Sequence, residues 1–166
     1  MKKSSVLIIA ILGFFNFTIA QKKVASPPET ATGKINEASI TINYGSPSVK
    51  GREIWGKLVP FDKVWRAGAN EATTFETDKE ITVEGTKLPA GKYSFFVIPN
   101  EKECTLIFSK QQKQWGAYDY KEKEDQLRVK VSPKPKSETT EKLMYTISSN
   151  TVTLSWEKWD IAFKVQ

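Results

Sequence analysis

The residues best suited to chemistry are concentrated between positions 44 and 75. This segment holds Arg52, Arg66, Asn70 and Glu71, together with two of the five tryptophans, Trp55 and Trp65. Arginine presents a rigid fork of N–H donors that suits a carboxylate, a phosphate or sugar hydroxyls. An exposed aromatic ring beside those donors would stack on a sugar ring. The segment therefore predicts a ligand site built from Arg52, Arg66, Asn70 and Glu71, with Trp65 and Trp115 as aromatic walls.

The same segment also fits a purely structural interpretation. Its apolar residues would fill one end of a core: Trp55, Leu58, Val59, Phe61, Val64 and Trp65. Its glycines would permit tight turns and its prolines would stiffen them. In this interpretation Arg66 pairs with Glu71 as a buried ion pair that fixes the loop. Scaffold and ligand site remain alternatives that only the geometry of the side chains can separate.

The chain contains no histidine and a single cysteine, Cys104. A Ser-His-Asp triad, a Cys-His pair, a histidine-ligated metal and a thiolate zinc cluster are thereby excluded in this chain. There is no Gly-rich nucleotide motif, no Walker A loop and no acidic loop of the EF-hand type. We therefore expect neither a metal nor a cofactor. Cys104 alternates with Leu106 and Phe108, which predicts a buried structural thiol.

Carboxylates are the main groups that remain for catalysis. Two of them can perform acid–base work, as in glycoside cleavage. The pool comprises Glu53, Asp62, Glu71, Asp119 and Asp125. Glu71 and Asp125 are the candidates for a catalytic pair. The alternative is that these carboxylates are surface groups or partners of the arginines.

Residues 1–20 have the layout of a secretory signal peptide. Lys2 and Lys3 precede an apolar run from Val6 to Phe17, and Thr18 and Ala20 place small residues before the expected cleavage site. The run is shorter than the ~20 residues that span a bilayer. We therefore expect an exported protein, periplasmic or extracellular, with no membrane insertion after cleavage. The net charge of +6 is spread along the chain. Since nucleic-acid binding favours a clustered basic face, no nucleic-acid partner is expected.

The rest of the chain alternates in the manner of β-strands. Residues 21–33 are polar and Pro-rich, which predicts a flexible leader, and residues 34–166 form one β-rich domain. Strands are predicted at 38–44, 81–83, 93–98, 127–131 and 159–165, with a hairpin between 139–148 and 151–156. At most one or two short helical turns are expected, near 52–58 and 120–125. The pattern predicts an all-β fold, an antiparallel β-sandwich or partly closed barrel.

Several motifs in this chain resemble one known protein family. They are SPSVKGREIWGKLVPFDKVWRAGANEATTFE, then LPAGKYSFFVIP, WGAYDY and LRVKV, in that order. Together they resemble the exported bacterial family, common in Bacteroidetes, that is catalogued as domain of unknown function 2911. The resemblance covers about residues 39 to 163, and Ala67 departs from it, where threonine is more usual. It implies an exported protein with a β-rich fold, and it implies no established activity.

Three functions stay open on these grounds. The leading hypothesis is a non-enzymatic exported module that binds a small polar or glycan-like ligand or an envelope partner. The second is a carboxylate-dependent hydrolase acting on a glycan-type substrate. The third is a structural envelope protein without a ligand site, which requires Arg66 and Glu71 to be buried and mutually paired.

Overall fold

The computed structural model describes residues 25–166, so the predicted signal peptide and residues 21–24 of the predicted leader lie outside the described residues. The described chain contains ten strands and one short 3-10 turn. The strands are β1 (Pro28–Ile35), β2 (Ala38–Gly45), β3 (Thr73–Thr77), β4 (Ile81–Val83), β5 (Thr86–Leu88), β6 (Gly91–Ile98), β7 (Cys104–Ser109), β8 (Asp125–Val131), β9 (Lys134–Ile147) and β10 (Thr151–Lys164). The 3-10 turn, Glu122–Glu124, immediately precedes β8.

The first layer is a six-stranded sheet in the order β1-β2-β3-β6-β7-β8, with every pair antiparallel. β2, β3 and β8 carry the period-two pattern of half-buried strands. In β2, Ala38, Ile40 and Ile42 are buried on one face. β6 lies between β3 and β7 and is buried on both faces from Tyr93 to Val97, as its dense apolar run predicts.

The second layer is the long hairpin of β9 and β10, which packs across the inner face of the six-stranded sheet. β4 extends this layer, because the Thr82 N–H donates to the Gln166 carbonyl and the Gln166 N–H donates back to the Thr82 carbonyl. Phe163 of the hairpin meets Phe75, Phe95 and Phe108 of the sheet, with ring centroids 5.8–6.4 Å apart. The fold is an all-β antiparallel sandwich, which confirms the predicted class.

An aromatic cluster closes one end of the sandwich. Trp55 stacks on Trp159 with ring centroids 4.7 Å apart, and Trp65 stacks on Trp156 at 5.9 Å. Trp55 also meets Trp65 edge-on at 5.7 Å. Burial of these large rings contributes strongly to stability. The apolar residues of the 44–75 segment are therefore mainly core, although Leu58 is 47% exposed.

Two local predictions are wrong. Residues 28–33 of the predicted flexible leader belong to β1. This strand is polar, so its sequence does not indicate a strand, but it pairs with β2 along its whole length and is held by the hydrogen bonds of that pairing. Residues 52–58 are turns rather than a helix, because Gly51 and Gly56 have φ of 66° and 82°. The predicted strand at 159–165 also lies largely within the longer β10, whose pairing is irregular between Ser155 and Trp159.

The predicted hairpin and the buried cysteine are confirmed. β9 and β10 pair antiparallel on either side of residues 148–150. Cys104 is fully buried and makes no disulfide, and burial raises the pKa of its thiol. Within residues 25–166, no helix is long and apolar enough to cross a membrane.

Candidate functional site

The outer face of the six-stranded sheet is partly covered by loops. A small apolar cluster of Ala72, Phe96 and Ile107 lies there, and Val64, Ala117 and Tyr120 pack on it. Two irregular segments provide this cover: residues 62–72, before β3, and residues 110–121, before the 3-10 turn. The apolar cluster anchors both segments to the sheet.

The two covering loops are joined by a short antiparallel ladder. Its central pair is Glu71 and Trp115. The Ala72 N–H donates to the Gln114 carbonyl at 2.9 Å, and the Gly116 N–H donates to the Asn70 carbonyl at 3.1 Å. Because these bonds flank the pair, Glu71 and Trp115 form a non-hydrogen-bonded pair, whose side chains share one face and lie close together. Both side chains are exposed, and Trp115 is 61% exposed.

This pair stands on the wall of a cavity of about 650 Å³, which we call the Trp115 cavity. Its floor is a row of polar side chains from β1, β2 and β3: Thr30, Asn43 and Thr74. The Thr30 hydroxyl donates to Asn43 Oδ1 at 2.8 Å, and Asn43 Nδ2 lies 3.5 Å from Thr74 Oγ1. A polar floor facing an exposed indole suits a ligand that has both hydroxyls and an apolar ring face.

The unpaired polar groups of the Trp115 cavity are largely acceptors. Gln114 is 4% exposed and lines the cavity, and its Oε1 has no partner among the described residues. Glu29 and Glu71 also line it, and neither forms a salt bridge within residues 25–166. Lys92, another lining residue, is bound to Glu76 with Nζ 3.6 Å from Oε2. A ligand that donates hydrogen bonds fits these groups.

The loop that carries Asn70 and Glu71 is fixed by hydrogen bonds to β9 and β2. The buried Tyr145 hydroxyl donates to the Ala67 carbonyl at 2.8 Å, and the Ala69 N–H donates to the Gly45 carbonyl at 3.1 Å. Gly45 is required at this contact, since a Cβ there would lie 2.2 Å from the Ala69 carbonyl oxygen. Ala67 and Asn70 adopt positive φ angles of 52° and 65°, which bend the loop. Burial raises the pKa of Tyr145 well above its usual value.

A second cavity of about 490 Å³ lies on the other side of Asn70, and we call it the arginine cavity. Its lining includes Arg52, Trp65, Arg66, Tyr118 and Trp156. Ser26, Ala69 and Asn70 line both cavities and form the ridge between them. On this ridge Asn70 Nδ2 donates to the Ser26 carbonyl at 3.1 Å.

The six residues predicted to bind a ligand are thus divided between two adjoining cavities. Glu71 and Trp115 line the Trp115 cavity, whereas Arg52, Trp65 and Arg66 line the arginine cavity, and Asn70 lines both. No salt bridge joins Arg66 to Glu71 within residues 25–166, and Glu71 is exposed. The predicted buried ion pair is therefore wrong.

The two arginines are partly engaged by the backbone. Arg52 Nε donates to the Val49 carbonyl at 3.0 Å and its Nη2 to the Ser48 carbonyl at 2.6 Å. Arg66 Nε donates to the Gly68 carbonyl at 3.3 Å. A Cβ on Gly116 would lie 2.9 Å from Arg66 Nη1, so the guanidinium passes close over that glycine. These bonds to backbone carbonyls orient both guanidinium groups. The other N–H donors of each guanidinium remain available to a ligand.

Asp125 does not join Glu71. Its carboxylate lies at the start of β8, accepts a hydrogen bond from the Tyr120 hydroxyl at 2.6 Å and lies 3.3 Å from Arg128 Nε. Its side chain is 7% exposed and does not line the Trp115 cavity. Burial raises the pKa of this carboxyl. The structure does not bring together the two residues proposed as a catalytic pair.

The polar row of the Trp115 cavity is not apparent from the sequence. Thr30, Asn43 and Thr74 come from three strands and meet only through the register of the sheet, with Thr30 opposite Asn43 and Asn43 opposite Thr74. The outward position of Asn43 in an alternating strand was a signal for one of them. Among residues 25–166, no group of three or more His, Cys, Asp or Glu is placed to hold a metal ion.

Comparison with known families identifies the chain as a member of one of them. The family described as "Protein of unknown function (DUF2911)" matches residues 26–165. The chain therefore belongs to this family, as its motifs indicate. Neither the curated proteins nor the solved structures contain a match.

Proposed function

We propose that this protein is a non-enzymatic module that binds a small polar, glycan-like ligand in the Trp115 cavity and that it acts after export, in the periplasm or outside the cell. The observation that carries the proposal is the exposed indole of Trp115, which is paired with Glu71 and lines the same cavity as Thr30, Asn43 and Thr74. An exposed tryptophan side chain keeps apolar surface in contact with water, which is unfavourable. A ligand that covered the ring would remove this surface from water and so gain binding free energy.

The polar groups of the cavity suit sugar hydroxyls. Gln114 Oε1 and the Glu71 carboxylate accept hydrogen bonds, while the threonine hydroxyls of the floor both donate and accept. A buried acceptor without a partner is unfavourable, so a ligand hydroxyl that reaches Gln114 Oε1 would remove a desolvation penalty. The backbone ladder fixes the wall before the ligand arrives, which lowers the entropic cost of binding.

A hydrolase acting on a glycan is the second candidate. One observation favours it: Glu29 and Glu71 line the same cavity and neither is bound to arginine within the described chain. A glycosidase, however, needs one carboxyl group whose apolar surroundings keep it protonated. Both glutamates are exposed. For this reason binding is the function that the site favours.

The test is a screen of neutral and acidic mono- and disaccharides against residues 21–166, read by thermal stabilisation and isothermal titration calorimetry. A ligand that binds only the folded state raises the melting temperature. Trp115→Ala should weaken binding at least about tenfold, which corresponds to about 1.4 kcal/mol. Met144→Ala is the matched control, because Met144 is 43% exposed and lines neither cavity.

Two outcomes would contradict the proposal. One is that no saccharide stabilises the protein. The other is that Trp115→Ala and Met144→Ala affect saccharide binding equally. Since Trp115 is exposed, its replacement should change the free energy of unfolding by no more than about 0.5 kcal/mol. A loss of binding can then be separated from a loss of fold.

A further inference from the structure

The arginine cavity differs in charge from the Trp115 cavity. Two arginines, Arg52 and Arg66, line it, and no carboxylate lines it within residues 25–166. The Trp115 cavity instead balances two glutamates, Glu29 and Glu71, against Lys92 and Lys113. One cavity therefore carries a net positive charge, and its neighbour across Asn70 does not.

A residue with an unpartnered buried donor also lines the arginine cavity. Trp156 is 1% exposed and is among the lining residues, and its indole Nε1 has no acceptor among the described residues. Buried polar groups in native proteins almost always have a partner, so an orphan N–H calls for an explanation. An acceptor brought by a ligand would supply one. This donor is independent of the two arginines and points to the same kind of ligand.

The walls of the arginine cavity are aromatic. Trp65 and Tyr118 both line it, and Tyr118 is 83% exposed. A Cβ on Gly116 would lie 2.9 Å from both Arg66 Nη1 and Tyr118 Cε2, so the guanidinium and the phenol ring flank the same glycine. The cavity thus combines cationic donors with ring surfaces, which suits an anionic group attached to a sugar ring better than a bare ion.

We infer that the ligand is an acidic sugar, whose carboxylate lies in the arginine cavity and whose hydroxyls reach across the Asn70 ridge into the Trp115 cavity. This inference rests on the proposed function of the Trp115 cavity. Each cavity is lined by a residue with one buried polar atom that has no partner among the described residues, and the two atoms are of opposite kinds: Gln114 Oε1 is an acceptor and Trp156 Nε1 is a donor. A uronic acid presents hydroxyl donors and a carboxylate acceptor on one ring, which is the matching combination.

The experiment uses the arginine Nε and tryptophan indole signals of ¹⁵N-labelled protein. Signals from Arg66, Trp156 and Trp115 are followed during titration with sodium D-glucuronate and with D-glucose at matched ionic strength. Glucuronate should shift the Arg66 and Trp156 signals well beyond the effect of glucose, and should bind about tenfold more tightly, because charge-assisted hydrogen bonds are roughly twice as strong as neutral ones. Arg128, the remaining arginine, lies outside both cavities and is the internal control.

Variants test the role of the guanidinium. Arg66→Gln should abolish the advantage of glucuronate over glucose, and Arg66→Lys should restore only part of it, because lysine keeps the charge but not the planar fork. Lys63→Gln removes the same charge from an exposed residue that lines neither cavity, and should leave the advantage intact. If Arg66→Gln fails to fold, Arg52→Gln replaces it as the test variant.

The outcomes separate the two proposals. If glucose shifts the Trp115 signal and glucuronate adds nothing at Arg66 or Trp156, the inference fails and the proposed function stands. If sodium acetate or inorganic phosphate shifts the Arg66 and Trp156 signals as strongly as glucuronate, the cavity takes small anions and the acidic sugar is overturned. If glucuronate acts at Arg66 but no sugar reaches Trp115, the Trp115 cavity loses its proposed role. If no signal moves, both proposals fail.

Discussion

Glu71 and Trp115 face each other across a two-stranded ladder formed by segments that belong to neither of the principal sheets. Their backbones are joined by the flanking bonds of Ala72 to Gln114 and of Gly116 to Asn70. The two residues are thereby neighbours on the ladder, and both line the same cavity. The pairing means that a change in either loop alters the position of both groups.

Glu71→Gln should weaken saccharide binding about fivefold, or about 1 kcal/mol, because the amide keeps one acceptor but loses the charge-assisted bond. Calorimetry measures the change. Glu53→Gln, an exposed carboxylate in the same segment that lines neither cavity, should bind as wild type. The wild-type protein should not hydrolyse the saccharides it binds. Turnover that Glu71→Gln abolishes would instead support the hydrolase.

Gly45→Ala should destabilise the protein by about 1–3 kcal/mol, the usual cost of overpacking. The added Cβ would meet the Ala69 carbonyl oxygen at 2.2 Å, and backbone cannot yield without moving the loop. Urea unfolding measures the loss. Gly85→Ala is the control, since no atom lies within 4 Å of its Cβ position and only its positive φ of 80° is penalised. Equal losses at both positions would contradict the importance of this contact.

Tyr145→Phe should cost about 1–2 kcal/mol, because it removes the buried bond to the Ala67 carbonyl. The carbonyl keeps a second donor, Thr73 Oγ1, at 3.0 Å, which limits the loss. Tyr118→Phe removes a hydroxyl from a side chain that is 83% exposed and should change stability by less than about 0.5 kcal/mol. We also expect weaker saccharide binding in Tyr145→Phe. Unchanged stability would show that the hydroxyl does not hold the loop.

The free energy of unfolding of the wild-type protein, relative to that of Asp125→Asn, should fall as the pH rises. Burial raises the pKa of this carboxyl, although the Tyr120 hydroxyl and Arg128 oppose the rise. The folded protein therefore binds the proton more tightly than the unfolded chain. That stabilisation is fully present below the unfolded pKa of about 3.9, and it is lost as the pH passes through the folded value.

Urea unfolding of wild type and Asp125→Asn, from about pH 3 to pH 7, measures this difference. The stability advantage of wild type over the variant should shrink as the pH rises. Asp119→Asn removes an exposed carboxyl from the neighbouring loop and is the control. A difference that stays constant or grows with pH would show that Asp125 is not protonated more readily in the fold.

The sequence predicts the elements whose burial follows a simple pattern. β2 alternates and β6 is apolar on both faces, and both appear where the pattern places them. β1 has mostly exposed residues and a proline at its start, so only its pairing with β2 reveals it. β3 is short, and its Thr73, Phe75 and Thr77 face the interior, but the irregular loop before it obscures the alternation.

The candidate site also has features that the sequence predicts and features that only the structure reveals. Arg66 and Trp115 stand out by residue type within unusual segments, so the sequence finds them without a structure. Their assignment to different cavities depends on the path of residues 66–72, which is set by close contacts such as Gly45 with Ala69. The scaffold interpretation holds for Trp55, which is core. Glu71 instead lines a cavity, and its role in ligand binding stays a prediction.

The ridge between the two cavities has a practical consequence for anyone who produces this protein. Ser26 lines both cavities, and the Ser46 N–H fixes the adjacent Pro27 carbonyl at 2.8 Å. An affinity tag fused ahead of residue 25 would place added residues next to both cavities. A tag fused after Gln166 would start beside Thr82 of β4, which lines neither cavity. Carboxy-terminal fusions are therefore the ones suited to ligand screening and surface immobilisation.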